Sequence, residues 1–123
     1  MKTEYFDLKN KRALVSGGAS GIGSSIVEHL CEQGVEVYFF DIDKNEAKKT
    51  IKKIKKKKFK IPSFVECNIK NIKKYKSSIL KIIKKQGPID ILVNNASNDQ
   101  RHSLEKITEK YWDDRMAINL KHY

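Results

Sequence analysis

Residues 16–23 read Ser16-Gly17-Gly18-Ala19-Ser20-Gly21-Ile22-Gly23, with Gly17, Gly21 and Gly23 in G-x-x-x-G-x-G spacing. Placed between a strand and a helix, such a turn gathers backbone N–H groups and the positive end of the helix dipole at one spot. A pyrophosphate can sit there. Glycine is required where a side chain would block that approach, and where helix and strand lie close together. The spacing differs from the commoner G-x-G-x-x-G fingerprint, and taken alone it also reads as a plain structural turn. Asp41 follows Gly17 at close to the interval of about 20 residues at which an acidic group meets a nucleotide ribose. A carboxylate there accepts hydrogen bonds from both hydroxyls and repels a 2′-phosphate, so NAD is favoured over NADP. Asp41 or Asp43 also reads as a cap for the helix that follows. Lys44 is near enough to soften the cofactor preference.

The elements that would position these groups follow from apolar spacing. Arg12 to Ser16 reads as a buried strand, and Ile22 to Gln33 as a helix with Ile22, Ile26, Val27 and Leu30 inward and Gly34 ending it. Val35 to Phe40 is a second strand, rich in β-branched and aromatic residues and stopping at Asp41. Asn45 to Lys58 is helical through Ala47, Ile51 and Ile54. Ser63 to Cys67 is a third strand. Asn71 to Lys85 is helical through Ile72, Tyr75, Ile79 and Ile82, and Ile89 to Val93 is a fourth strand. A last helix starts near Thr108 and is expected to carry Trp112, Met116, Leu120 and Tyr123 inward. Strand and helix alternate, which implies right-handed crossovers and a parallel sheet.

With 123 residues the chain is one modest domain. No apolar run approaches a membrane span of about 20 residues, and the N-terminus has no apolar signal core, so no membrane partner and a cytoplasmic location are expected. Cys31 and Cys67 lack the paired spacing of a zinc site, and His29, His102 and His122 are scattered, so no metal is assigned. The formal charge of +11 resides in one stretch: 17 lysines against Glu46 and Glu66 lie between positions 44 and 86. These lysines alternate with isoleucines at core spacing, the pattern of solvated helix faces. A polyanion-binding module is the competing reading, with Lys55 to Lys60 its densest part. It lacks the interleaved aromatics of a nucleic-acid surface, and no nucleic-acid partner is assigned.

On these motifs the chain resembles the short-chain dehydrogenase/reductase family over essentially its whole length. The glycine turn matches the family's spacing, with Ser16 where threonine is usual. Cys67-Asn68-Ile69 resembles the acidic-plus-aliphatic pair that contacts adenine, with Asn68 in place of aspartate. Asn94-Asn95-Ala96-Ser97 resembles the Asn-Asn-Ala-Gly turn that lines the cofactor groove, with Ser97 in place of glycine, a cost if that position needs positive φ. Asn119 falls where the family has the helix asparagine of its proton relay. The resemblance implies the N-terminal half of a Rossmann-like, doubly wound parallel sheet, four strands in order 3-2-1-4. It also implies cofactor contacts at Gly17, Ser20, Gly21, Ile22, Gly23, Asp41, Asn68, Ile69, Asn95 and Ala96. Asn98 to His102 with Tyr111 to Arg115 is similar to the branch that oxidises aldoses such as xylose.

The family's chemistry also needs a serine, a tyrosine and a lysine four residues after it, whose ammonium lowers the phenol's pKa. The chain stops at Tyr123, before the region where the resemblance places them. Tyr5-x-x-x-Lys9 precedes the first strand, and Tyr111-x-x-x-Arg115 holds a cation that does not shed its proton. The expectation is therefore residues 1–123 as an NAD-binding half-domain of a dehydrogenase acting on a small alcohol or sugar. It would be inactive alone, marginally stable or prone to aggregate, and without the homo-oligomer expected of the family. A noncatalytic NAD sensor is the other reading of the same residues.

Overall fold

The computed structural model describes residues 3–98, 100 and 102–123. Its elements are β1 (Arg12–Ser16), α1 (Gly21–Glu32), β2 (Glu36–Asp41), α2 (Lys44–Lys56), β3 (Ser63–Glu66), α3 (Ile72–Gln86), β4 (Ile91–Asn94) and α4 (Glu109–Asn119). Short 3-10 turns at Phe6–Leu8 and Leu104–Lys106 precede β1 and α4. The four strands are parallel in the order β3-β2-β1-β4, as the resemblance implied.

The central strands are apolar without alternation because both faces of the sheet are covered. On one face Val15, Val37 and Phe39 meet Val27 and Cys31 of α1 and Ala47 and Ile54 of α2. On the other, Leu14, Tyr38 and Phe40 meet Tyr75 and Ile82 of α3. Phe40 and Tyr75 stand edge to face with centroids 5.1 Å apart. Burial pushes the Cys31 thiol up to about 12, so this cysteine behaves as a small core residue.

Three expectations are corrected. The second strand starts at Glu36 because the Val35 N–H is taken by the Leu30 carbonyl (3.0 Å) and the Gly34 N–H by that of Cys31 (3.1 Å). That is the Schellman closure of α1, with Gly34 at φ +78°. In the same way α2 ends at Lys56, since the Phe59 N–H returns to Ile54 (3.4 Å) and Lys58 adopts φ +60°. Thirdly, Trp112 (59%), Leu120 (54%) and Tyr123 (63%) are exposed, as are Ile22 (76%) and Ile72 (42%). α4 buries none of its residues. Of the expected stripe only Met116 is half-buried, and spacing alone could not show which of its residues would be covered.

Candidate functional site

The site is built where β1 leaves the sheet. Ser16 is fully buried, and its hydroxyl accepts the N–H groups of Asn95 and Ala96, each at 3.1 Å. The Asn95 amide in turn donates to the carbonyls of Ser16 (3.1 Å) and Gly17 (3.0 Å). The exit of β4 is thereby sewn to the glycine turn. A Cβ on Gly23 would lie 1.8 Å from the Gly17 carbonyl oxygen, so α1 rests on the turn at a distance only glycine allows. Gly21 has the opposite character: φ is +54° and open space surrounds the position of a Cβ. Ser20 caps α1 through its backbone alone, with no side-chain bond. Ser20 thus leaves the first amide donors of α1 without a side-chain acceptor.

Asp41, at the end of β2, accepts Ala19 N–H on Oδ2 (3.0 Å) and the N–H groups of Ile42 (2.8 Å) and Asp43 (3.0 Å) on Oδ1. It therefore ties the glycine turn to β2 and keeps acceptor capacity on Oδ2. Capping falls to Asp43, which accepts from Asn45 (3.0 Å) and Glu46 (2.9 Å). Lys44 is engaged with Glu66 at 2.9 Å, an exposed pair of small energetic weight.

A cleft of about 650 Å³ opens at the carboxyl ends of the strands. Gly17, Ser20, Ile22 and Gly23 form one wall with Asp41 beside them; Asn68 and Ile69 lie towards β3, Asn95 and Ala96 towards β4. Asn68 accepts Lys70 N–H on its amide oxygen (3.0 Å), an Asx turn that leaves its NH₂ to donate. Ser97 also lines the cleft, and it is not among the described non-glycine residues with positive φ, so serine is unstrained there. Of the proposed contacts, Gly21 is not a lining residue. Nor is Asn119, whose amide is spent on Asn98: it accepts the Asn98 N–H (2.8 Å) and donates to the Asn98 carbonyl (3.1 Å).

Sequence reasoning missed the ion pair between Lys70 and Asp114 (2.7 Å), two further lining residues. Lys70 holds the Asp114 carboxyl below the usual carboxylate range. No local pattern could reveal partners 44 positions apart. The lysine-rich helices α2 and α3 lie on opposite faces of the sheet, so their charges do not form one surface. Among the described residues no group of three or more His, Cys, Asp or Glu could hold a metal ion. No helix among them is long and apolar enough to cross a membrane.

The short chain dehydrogenase family model matches residues 11–123. D-xylose 1-dehydrogenase of Caulobacter vibrioides is 36% identical over 118 residues, which is 96% of this chain and 46% of that protein. A 3-oxoacyl-acyl-carrier-protein reductase of Staphylococcus epidermidis is 35% identical over 114 residues, covering 91% of this chain and 46% of the reductase. Among solved structures, the aldohexose dehydrogenase of Thermoplasma acidophilum superposes with a TM-score of 0.79 at 31% identity, covering 97% of this chain and 42% of that one. The chain thus spans about half the length of the curated relatives it matches. A family match over nearly every residue, joined to the strand order and the glycine turn, makes this chain a member of the short chain dehydrogenase family.

Proposed function

We propose that residues 1–123 bind the dinucleotide of an oxidoreductase that moves hydride between NAD and an alcohol or sugar carbon. The observation that carries this reading is the opening of two complementary groups onto one cleft: the α1 amide donors left free by Ser20, and the Asp41 carboxylate. The donors of Ile22 and Gly23 would hold the pyrophosphate and Asp41 the adenosine ribose. The Asn68 NH₂ and Ile69 would meet the base, and Asn95 and Ala96 would line the path to the nicotinamide. When bound, that ring accepts or gives the hydride. Members of the family use NAD or NADP. The negative charge of Asp41 favours NAD, because it opposes a 2′-phosphate. Relatives named for D-xylose and for aldohexoses support an aldose as substrate of a longer protein. The residues lining the cleft include no tyrosine, and no turnover is expected from these 123 residues alone.

Calorimetric titration of the purified chain with NAD and NADP tests the assignment. NAD should bind roughly tenfold or more tightly than NADP, a difference of about 1.4 kcal/mol. Asp41→Asn, which keeps an acceptor for Ala19 while removing the charge, should narrow the gap. A folded sample that binds neither dinucleotide would refute the assignment.

A further inference from the structure

α4 has no fully buried residue, although Arg115 to Asn119 are half-buried. Besides the Lys70–Asp114 pair, its polar ties converge on one residue of the connection after β4. Both backbone groups of Asn98 are engaged by the Asn119 amide, and its carbonyl also receives Nη1 of Arg115 at 3.2 Å. The second arm of the Arg115 fork, Nη2, donates to Oε1 of Gln100 at 3.3 Å. The guanidinium lies over the Tyr111 ring, 4.8 Å from its centroid, and the Tyr111 hydroxyl donates to the Gln100 carbonyl at 3.2 Å. Ser97 and Asn98 are lining residues of the cleft at its β4 end.

We infer that Arg115 is a positioning residue: its fork, braced on Tyr111, fixes the Ser97–Asn98 wall over which the nicotinamide half of the dinucleotide lies. The inference rests on the dinucleotide reading above. A planar fork suits the task because it reaches two acceptors in fixed relative geometry, whereas an ammonium is a single point charge. A wall held in place before the ligand arrives costs less ordering on binding. The effect should be confined to ligands that extend to the β4 end, since the base and ribose groups belong to β2 and the segment after β3.

The test compares NAD with ADP-ribose, which lacks the nicotinamide, on the full 123-residue chain and on Arg115→Lys and Arg115→Met. Both variants should weaken NAD about fivefold and ADP-ribose less than about twofold, the scale of losing one or two hydrogen bonds. Amide exchange at Asn98 should also accelerate in Arg115→Lys, which keeps the cation and serves if Arg115→Met does not fold. Equal weakening of both ligands, or an unchanged ratio in Arg115→Lys, overturns the inference and leaves the dinucleotide reading intact. If the unmodified chain binds neither ligand, both fail together.

Discussion

Ser16 shows how one hydroxyl can set a whole site. Its oxygen receives the N–H groups of both Asn95 and Ala96 from a fully buried side chain. Ser16→Ala leaves the part-buried donors of Asn95 and Ala96 without that acceptor and should cost about 1–2 kcal/mol in denaturant unfolding. The same substitution should weaken NAD, because Asn95 would no longer be fixed against the Gly17 carbonyl. Asp41 carries a similar double duty, tying Ala19 while presenting a charged oxygen to the cleft. The composition of the glycine turn and the interval to Asp41 were legible in the sequence because their chemistry is local. The Asn98 clamp was not, since Arg115 and Asn119 act from 17 and 21 positions away.

Between elements, α1 and α2 are joined beyond their apolar contact by Glu28, a nearly buried carboxylate that accepts from Lys53 (2.6 Å) and Lys57. Hydrogen bonds from Lys53 and then Lys57 hold its pKa below the usual 4.5. A carboxyl whose folded pKa is depressed adds stability that is complete above its unfolded value and is lost as pH falls through the folded one. Thermal melts from neutrality to below about pH 4 should therefore show a loss of stability that Glu28→Gln reduces. At neutral pH that substitution should cost about 1–2 kcal/mol, since both lysines can return to water. Element boundaries were legible where a run of apolar residues meets a clear stop, as for β1, whose observed bounds match the expected ones. They shifted where a helix closes by a Schellman turn, because the residue after the glycine serves the helix before it can join the strand. The outward stripe of α4 was misplaced for a different reason, as spacing carries no information about what lies opposite.

At the scale of the whole molecule, β4 is an edge strand of the described sheet, with Leu92 59% exposed. An edge of this kind offers unpaired backbone groups to a further strand. The lysine-bearing helices have a kinetic consequence. α2 and α3 flank the sheet on both sides, and the net charge of +11 resides in the stretch that they span, so at low ionic strength an approaching anion should be attracted. Diffusional capture of a doubly charged ligand should be hastened by this arrangement without any added contact in the complex. Stopped-flow mixing with ADP-ribose should show an association rate that falls as ionic strength shrinks the Debye length from about 10 Å towards 3 Å, while escape from the cleft changes little. Lysines remote from the ligand would then govern how often it arrives, and the glycine turn how long it stays.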